Sequence, residues 1–93
     1  MFISEQQIIK HYEYFYQKIS GSKKFTLKLT AQNNALIKNF IEIIPETAGE
    51  DWLFDFFNYQ FFRYADKETR FGKGKVMLSW VIGKNALQEY RER

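Results

Sequence analysis

The amino-acid sequence predicts a mainly α fold, a compact single domain over residues 1–93 with three to four helices and room for one or two short strands. Ninety-three residues suit one domain, because domains usually span ~50–250 residues. Two N-terminal segments repeat apolar residues at helical spacing, and residues that favour helix starts precede them. The composition, 45% apolar and 27% charged, is that of a globular chain. An α+β fold with a small hairpin is the alternative.

The first predicted helix covers residues 5–20. Ser4 and Gln7 have the spacing of a capping box, in which each side chain bonds the backbone N–H of the other residue. Gly21 follows the segment as a helix stop. Apolar residues recur at helical spacing between these signals, at Ile8, Ile9, Tyr12, Phe15, Tyr16 and Ile19.

The next segment, 25–30, alternates apolar and polar residues, which is typical of a short strand and equally of an extended connector. Thr30 is the expected N-cap of a second helix over 31–44. Pro45 ends that helix, because the residue before a proline avoids the helical conformation. The apolar stripe of this helix consists of Leu36, Ile37, Phe40, Ile41 and Ile44.

The segment 52–64 is the most unusual, with eight aromatic residues in thirteen positions. Acids at its start and Arg63 near its end favour a third helix, because such charges complement the helix dipole. The predicted inward stripe is Leu53, Phe56, Phe57, Phe61 and Tyr64, and the rings expected off this stripe are Trp52, Phe54, Tyr59 and Phe62.

The remaining chain is predicted as a polar loop followed by two short elements. The loop covers 65–75, and the apolar segment 76–82 is either a buried strand or the start of a helix that continues past Gly83. Asn85 and Gln88 have the spacing of a cap for a last helical segment. The expected core contains Ile8, Ile9, Tyr12, Phe15, Ile19, Leu36, Ile37, Phe40, Ile41, Phe56, Phe57, Trp80 and Leu87.

Several functional classes lack their usual residues. The chain has no cysteine, which excludes disulfides and thiolate metal sites, and its one histidine, His11, has no nucleophile motif to serve. We therefore expect no enzyme, no metal and no cofactor; a small enzyme using His11, Asp51 and Asp55 is the remote alternative. No apolar run has the ~18 residues of a membrane span, and the N-terminus lacks a secretory pattern, so a cytoplasmic protein without membrane contact is expected.

Charge is divided at Arg63. The formal net charge is +3, yet residues 46–62 hold four acids and no base, whereas residues 63–84 hold six bases and two acids. Bases beside aromatic rings can neutralise phosphates while the rings stack on nucleobases. The same residue types dominate protein interfaces. The predicted contacts with nucleic acid or a protein partner are Arg63, Arg70, Phe71, Lys73, Lys75 and Lys84, and the predicted partner-contact rings are Trp52, Tyr59, Phe62 and Tyr64.

Two short Gly-Lys sequences, at 72–75 and 83–85, have the residue types of a phosphate-binding turn. Neither has the glycine spacing of a nucleotide-binding loop, and a turn made soluble by lysine explains both more simply. The acids of 46–55 offer a surface for a cationic partner. We expect a protein or nucleoprotein target, with direct binding of DNA or RNA as the alternative, and a homodimer remains open.

The aromatic segment 52–64 and the following residues 72–84, Gly-Lys-Gly-Lys-Val-Met-Leu-Ser-Trp-Val-Ile-Gly-Lys, resemble small uncharacterised proteins of bacterial phages and mobile elements. The resemblance covers the C-terminal half of the chain and includes no defined motif, so no functional residue is transferred from it. It implies a short accessory protein that acts by binding. Replication accessories, regulators and inhibitors of host defence such as anti-CRISPR proteins belong to that population.

Overall fold

Helices form nearly all the regular structure of the protein. The computed structural model describes residues 3–20, 24–71 and 77–92, and for residues 19–20 and 65–71 it describes the helical backbone alone. The described residues form five helices and no strand, which confirms the mainly α prediction. The helices are α1 (Glu5–Ser20), α2 (Ala31–Ile43), α3 (Glu50–Phe71), α4 (Leu78–Val81) and α5 (Ala86–Arg91).

The predicted capping box begins α1. The Ser4 N–H donates to Gln7 Oε1 at 2.7 Å, and the Gln7 N–H donates to Ser4 Oγ at 3.2 Å. These bonds satisfy backbone donors that have no partner within the first helical turn. Four residues of the predicted stripe are buried: Ile8, Ile9, Tyr12 and Phe15. The side chain of Ile19 lies outside the described residues.

The segment 25–30 is an extended connector and not a strand, which decides between the two alternatives that its pattern left open. Its backbone groups form hydrogen bonds with side chains of α1, not with a neighbouring strand. Gln17 Nε2 donates to the Phe25 carbonyl at 2.9 Å, and the Leu27 N–H donates to Glu13 Oε2 at 2.8 Å. The Phe25 ring also stacks on the Tyr16 ring. The alternating pattern therefore reflects inward and outward side chains only at residues 25–28, because Phe25 and Leu27 are partly buried whereas Leu29 is exposed.

Thr30 caps α2 as predicted, because its Oγ1 accepts a hydrogen bond from the Asn33 N–H at 3.1 Å. The helix ends at Ile43, two residues before Pro45. Ile37 and Phe40 are buried, whereas Leu36 and Ile41 are only partly buried against the core.

The third helix is longer than predicted. α3 continues to Phe71, so the expected loop at 65–75 is wrong over residues 65–71. The sequence contains no glycine or proline between Glu50 and Phe71, and the polar residues of 65–70 include good helix formers. Polarity alone was therefore an unreliable signal for a loop.

The segment 76–82 is described from residue 77, and it forms the single-turn helix α4 and no strand. The helix does not continue past Gly83, because the chain turns there before α5 begins. Asn85 is the N-cap of α5 as predicted, but its side chain makes no capping hydrogen bond. Gln88 Nε2 instead donates to Glu92 Oε1 at 3.1 Å.

α3 is the central helix of the molecule, and α1, α4 and α5 all pack against it. The Cα radius of gyration is 12.6 Å, close to the ~12 Å expected for one compact domain of this length. No helix within the described ranges is long and apolar enough to cross a membrane. The buried apolar side chains are Ile3, Ile8, Ile9, Tyr12, Phe15, Ile37, Phe40, Ala48, Leu53, Phe56, Phe57, Phe61, Tyr64, Leu78, Val81, Ile82, Ala86, Leu87 and Tyr90.

Candidate partner-binding surface

One side of α3, beside α5, combines an exposed ring with polar and charged groups around an open recess of about 410 Å³. The residues that line it are Asp55, Asn58, Tyr59, Phe62 and Arg63, which we call the Phe62 surface. Their spacing of three, four, seven and eight positions places them on one helix face. The opposite face of α3 carries Phe56, Phe57 and Phe61 into the core. The amphipathic pattern of α3 therefore determines where the recess lies.

Phe62 is the most exposed large apolar side chain among the described residues, at 81% of its full accessibility. Burying a phenylalanine side chain is worth roughly 1.5–3 kcal/mol relative to leaving it in water. A partner that covers Phe62 would gain stabilisation of that order from this ring. Phe62 was predicted as a partner-contact residue, and its exposure is compatible with that assignment.

α5 holds the edge of the Phe62 surface in a fixed geometry. Arg63 Nη2 lies 2.7 Å from Glu89 Oε2, and the Tyr90 hydroxyl donates to Asp55 Oδ2. The rings of Tyr59 and Tyr90 meet edge to face, with their centroids 5.7 Å apart. Side chains that are already held in place lose less conformational entropy when a partner binds. The surface is therefore preorganised along its α5 side.

Arg63 faces a protein carboxylate in addition to solvent. The side chains of Arg63 and Glu89 are 35% and 30% exposed, and the guanidinium carbon lies 5.6 Å from the centroid of the Tyr64 ring. A pair this exposed contributes at most about 1 kcal/mol to stability, because water screens it. Glu89 nevertheless offsets much of the positive charge that Arg63 was expected to offer to phosphates.

The other predicted contact rings are covered to different degrees. Tyr64 is 7% exposed, so its ring belongs to the core and cannot present a contact surface. Burial, followed by the charge of Glu89, raises the pKa of the Tyr64 hydroxyl. Trp52 is half-buried and stacks on Phe56, with a centroid distance of 5.3 Å. Tyr59 is also half-buried, which leaves Phe62 as the exposed member of the predicted set.

The structure brings one predicted basic residue, Arg63, to the Phe62 surface. Lys84 is exposed in the turn between α4 and α5, and it does not line the recess. Arg70 and Phe71 occupy the last turn of α3, which corrects the expected loop position of Phe71, but their side chains lie outside the described residues. Lys73 and Lys75 also lie outside the described residues. The predicted grouping of these five cations therefore stays a prediction.

Apart from Phe62, two exposed aromatic residues lie next to each other, one on α1 and one on α3. Tyr14 is 50% exposed and Phe54 is 45% exposed, with their ring centroids 6.2 Å apart. Phe54 was expected to lie off the inward stripe of α3, which the structure confirms. Tyr14 was overlooked; its position on the polar face of α1 is the signal that could have revealed it.

The imidazole of His11 lies next to this pair, with its centroid 6.5 Å from that of the Phe54 ring. Its Nδ1 lies 2.7 Å from the Gln7 carbonyl, and this nitrogen carries the proton because a carbonyl can only accept. The imidazole also packs against Phe57, at a centroid distance of 5.9 Å. Within the described ranges, no three His, Asp or Glu side chains gather in a way that could hold a metal ion.

Comparisons with known proteins add no relative: no protein-family model matches the chain, and no similar curated protein or solved structure was found.

Proposed function

We propose that this chain is a small non-catalytic binding protein that engages a protein or nucleoprotein target through the Phe62 surface and the basic segment that follows it. The observation that carries the proposal is the 81% exposure of Phe62 in a helix whose neighbouring rings are largely covered. Aromatic residues and arginine are the side chains that most often dominate binding energy at protein interfaces.

The arrangement around Phe62 supports a protein partner. An interface commonly places an apolar anchor at its centre and polar groups at its rim. The rim contacts keep water away from the central anchor. Asn58, Tyr59 and Arg63 supply such polar groups beside the ring. The bonds from α5 to Asp55 and Arg63 keep this rim ordered before binding.

The resemblance to small phage and mobile-element proteins suggests which targets to examine first. A nucleic-acid-processing or defence complex of the host, of the kind that anti-CRISPR proteins inhibit, would offer both protein and nucleic-acid surfaces. The charge change at Arg63 suits such a mixed target, because acids precede it and bases follow it along the chain.

The test begins with capture of targets from the native host and continues with each purified target. The dissociation constant is measured for the wild type, for Phe62→Ser and for Leu29→Ser. Leu29 is a matched control, because it is 57% exposed and lies in the extended connector. We expect Phe62→Ser to weaken binding by roughly tenfold or more and Leu29→Ser to change it little. Unchanged affinity of Phe62→Ser for every purified target would refute the proposed surface.

Direct binding of DNA or RNA is the second candidate function, favoured by the six bases in residues 63–84. Binding to phosphates weakens log-linearly as salt rises, because counterions are released on association. A ring-dominated protein contact should depend little on salt. Charge reversal of Arg70, Lys73 and Lys75 should abolish nucleic-acid binding; retention of that binding in the triple variant would eliminate this second function.

A further inference from the structure

A second concave surface lies at the end of α2 and shares no lining residue with the Phe62 surface. It is a groove of about 460 Å³ lined by the apolar residues Ile3, Ile41, Ile44, Pro45 and Ala48 and by the acids Glu42 and Glu46. We call it the α2-end groove. Its volume lies within the ~300–1,000 Å³ range of pockets that take small ligands or a few side chains.

The carboxylates of the groove have no cationic partner in the described part of the chain. Glu42 and Glu46 are exposed, and no described lysine or arginine lies within ion-pair distance of either. This includes Lys38, one helical turn before Glu42. Residues 39–62 hold five acids and no base, so the sequence around the groove supplies no local neutralisation.

The backbone adds negative potential at the same place. In a continuing helix the carbonyl of Ile41 would accept a hydrogen bond from the N–H of residue 45, but proline has no N–H. α2 ends at Ile43, so its last carbonyls form the negative end of the helix dipole. The groove therefore has backbone carbonyl oxygens and carboxylates next to its apolar lining residues.

We propose that the α2-end groove binds a cationic amphipathic segment of a partner protein, a lysine or arginine with apolar neighbours. The aliphatic stem of such a side chain packs on Ile41, Ile44 and Pro45, while its charged head remains near the carboxylates and in contact with water. A purely apolar ligand would desolvate the carboxylates without compensation, and an anionic ligand would be repelled. This inference does not depend on the Phe62 surface.

The probe is the acetylated and amidated tripeptide Leu-Arg-Leu, titrated into the full chain while backbone amide NMR shifts are recorded. Leu-Glu-Leu and Leu-Gln-Leu, blocked in the same way, are the anionic and neutral comparisons. We expect saturable shifts that centre on residues 41–48 with the arginine peptide and much weaker ones with the others. Equal binding of all three peptides, or no saturable shift by about 10 mM arginine peptide, would overturn the proposal.

Two double variants with equal charge change locate the effect. Glu42→Gln with Glu46→Gln removes both groove carboxylates, and Asp51→Asn with Glu92→Gln removes two exposed acids that do not line the groove. At ~0.15 M ionic strength the Debye length is ~8 Å, so an acid outside the groove attracts the bound arginine less than an acid that lines it. We expect the groove variant to bind Leu-Arg-Leu roughly threefold to tenfold more weakly than the wild type and the control to lose clearly less affinity.

Two other results would assign the peptide elsewhere. Equal weakening by both double variants would reduce the attraction to net charge and overturn the groove assignment. Loss of Leu-Arg-Leu binding in Phe62→Ser, with the groove variant unaffected, would place the peptide on the Phe62 surface and also overturn it. Since the target assay of Phe62→Ser uses a different ligand, failure of either proposal leaves the other to be judged on its own result.

Discussion

Tyr12 of α1 packs against α3 in the core, where little of its side chain is exposed to water. The residue is 3% exposed, and its ring centroid lies 5.4 Å from that of Phe61. Burial, and to a smaller extent the neighbouring Tyr16, raises the pKa of the Tyr12 hydroxyl above its ordinary value. The phenolate form is therefore disfavoured in the folded protein.

This shift predicts a loss of stability in alkali. Above pH ~10 the unfolded chain ionises Tyr12 while the folded chain keeps the proton, so the free energy of unfolding falls as pH rises. The full contribution is present below pH ~10 and is lost toward the raised pKa of the folded state. We expect Tyr12→Phe to reduce the alkaline slope by up to ~1.4 kcal/mol per pH unit. Urea unfolding between pH ~8 and ~11 measures it.

Tyr14→Phe is the control for that experiment, because Tyr14 belongs to the same helix and is half exposed. Its alkaline slope should follow that of the wild type. If Tyr12→Phe also followed the wild type, ionisation of Tyr12 could not explain the alkaline loss. Comparison at neutral pH separates the cost of losing the hydroxyl from its titration.

Gln60 is a buried polar residue, a feature that the pattern of apolar residues in the sequence does not predict. It is fully buried on the inward side of α3, where its Nε2 donates to the Val81 carbonyl at 3.1 Å, and its Oε1 has no partner among the described atoms. The position fits the helical stripe, but a polar residue there is normally assigned to the surface. Its role depends on the last carbonyl of α4, which the sequence of α3 does not reveal.

At the scale of helices, the boundaries of α1 and α2 were predicted to within about one residue, whereas the end of α3 was not. Ser4 and Thr30 mark helix starts by a local hydrogen bond that depends only on neighbouring residues. The end of α3 at Phe71 is followed at once by Gly72, a stop signal like Gly21 after α1, but the polar residues 65–70 outweighed it in the prediction of a loop. The extended connector at 25–30 depends on distant partners, Glu13 and Gln17, so its local pattern could not distinguish it from a strand.

Gly83 determines how α4 connects to α5. A Cβ atom at this position would lie 2.0 Å from the Ser79 carbonyl oxygen and 3.1 Å from the Ser79 carbonyl carbon. Backbone atoms cannot move aside as the end of a long side chain can, so the turn itself would have to shift. Gly83 is also buried, which leaves little space for such a rearrangement.

We therefore expect Gly83→Ala to lower the free energy of unfolding by about 1–3 kcal/mol, the usual cost of forcing extra volume into a packed site. Urea unfolding measures this loss. Gly49→Ala is the matched control, since its Cβ would meet no atom within 4 Å. That control should stay within about 1 kcal/mol of the wild type. Equal stability of Gly83→Ala and the wild type would show that the turn accommodates the methyl group.

At the scale of the whole molecule, the fold covers more of the aromatic segment than the sequence suggests. Of the eight rings between Trp52 and Tyr64, four are buried and two are half-buried, which leaves Phe54 and Phe62 exposed. The inward stripe followed from helical spacing alone. The coverage of Trp52 and Tyr59 did not, because both rings pack against Tyr90 of α5, and that contact joins residues more than thirty positions apart.

Substitutions of Phe61 and Phe62 should distinguish an effect on folding stability from an effect on binding. They are chemically identical neighbours in α3, but Phe61 is 1% exposed whereas Phe62 is 81% exposed. Phe61→Ala leaves a cavity among the rings of Tyr12, Phe15 and Phe57, so we expect a loss of about 3–5 kcal/mol. For a domain of this size that corresponds to a fall in Tm of more than about 10 °C, measured by thermal unfolding.

Phe62→Ala should instead leave the Tm within about 4 °C of the wild type, because its ring has little native packing to lose. Binding to a purified target should show the reverse order at a temperature where both variants are folded. Phe62→Ala then weakens the complex, while folded Phe61→Ala retains it. If Phe62→Ala lowered the Tm as much as Phe61→Ala does, the Phe62 ring would be a structural element and the proposed docking surface would lose its anchor.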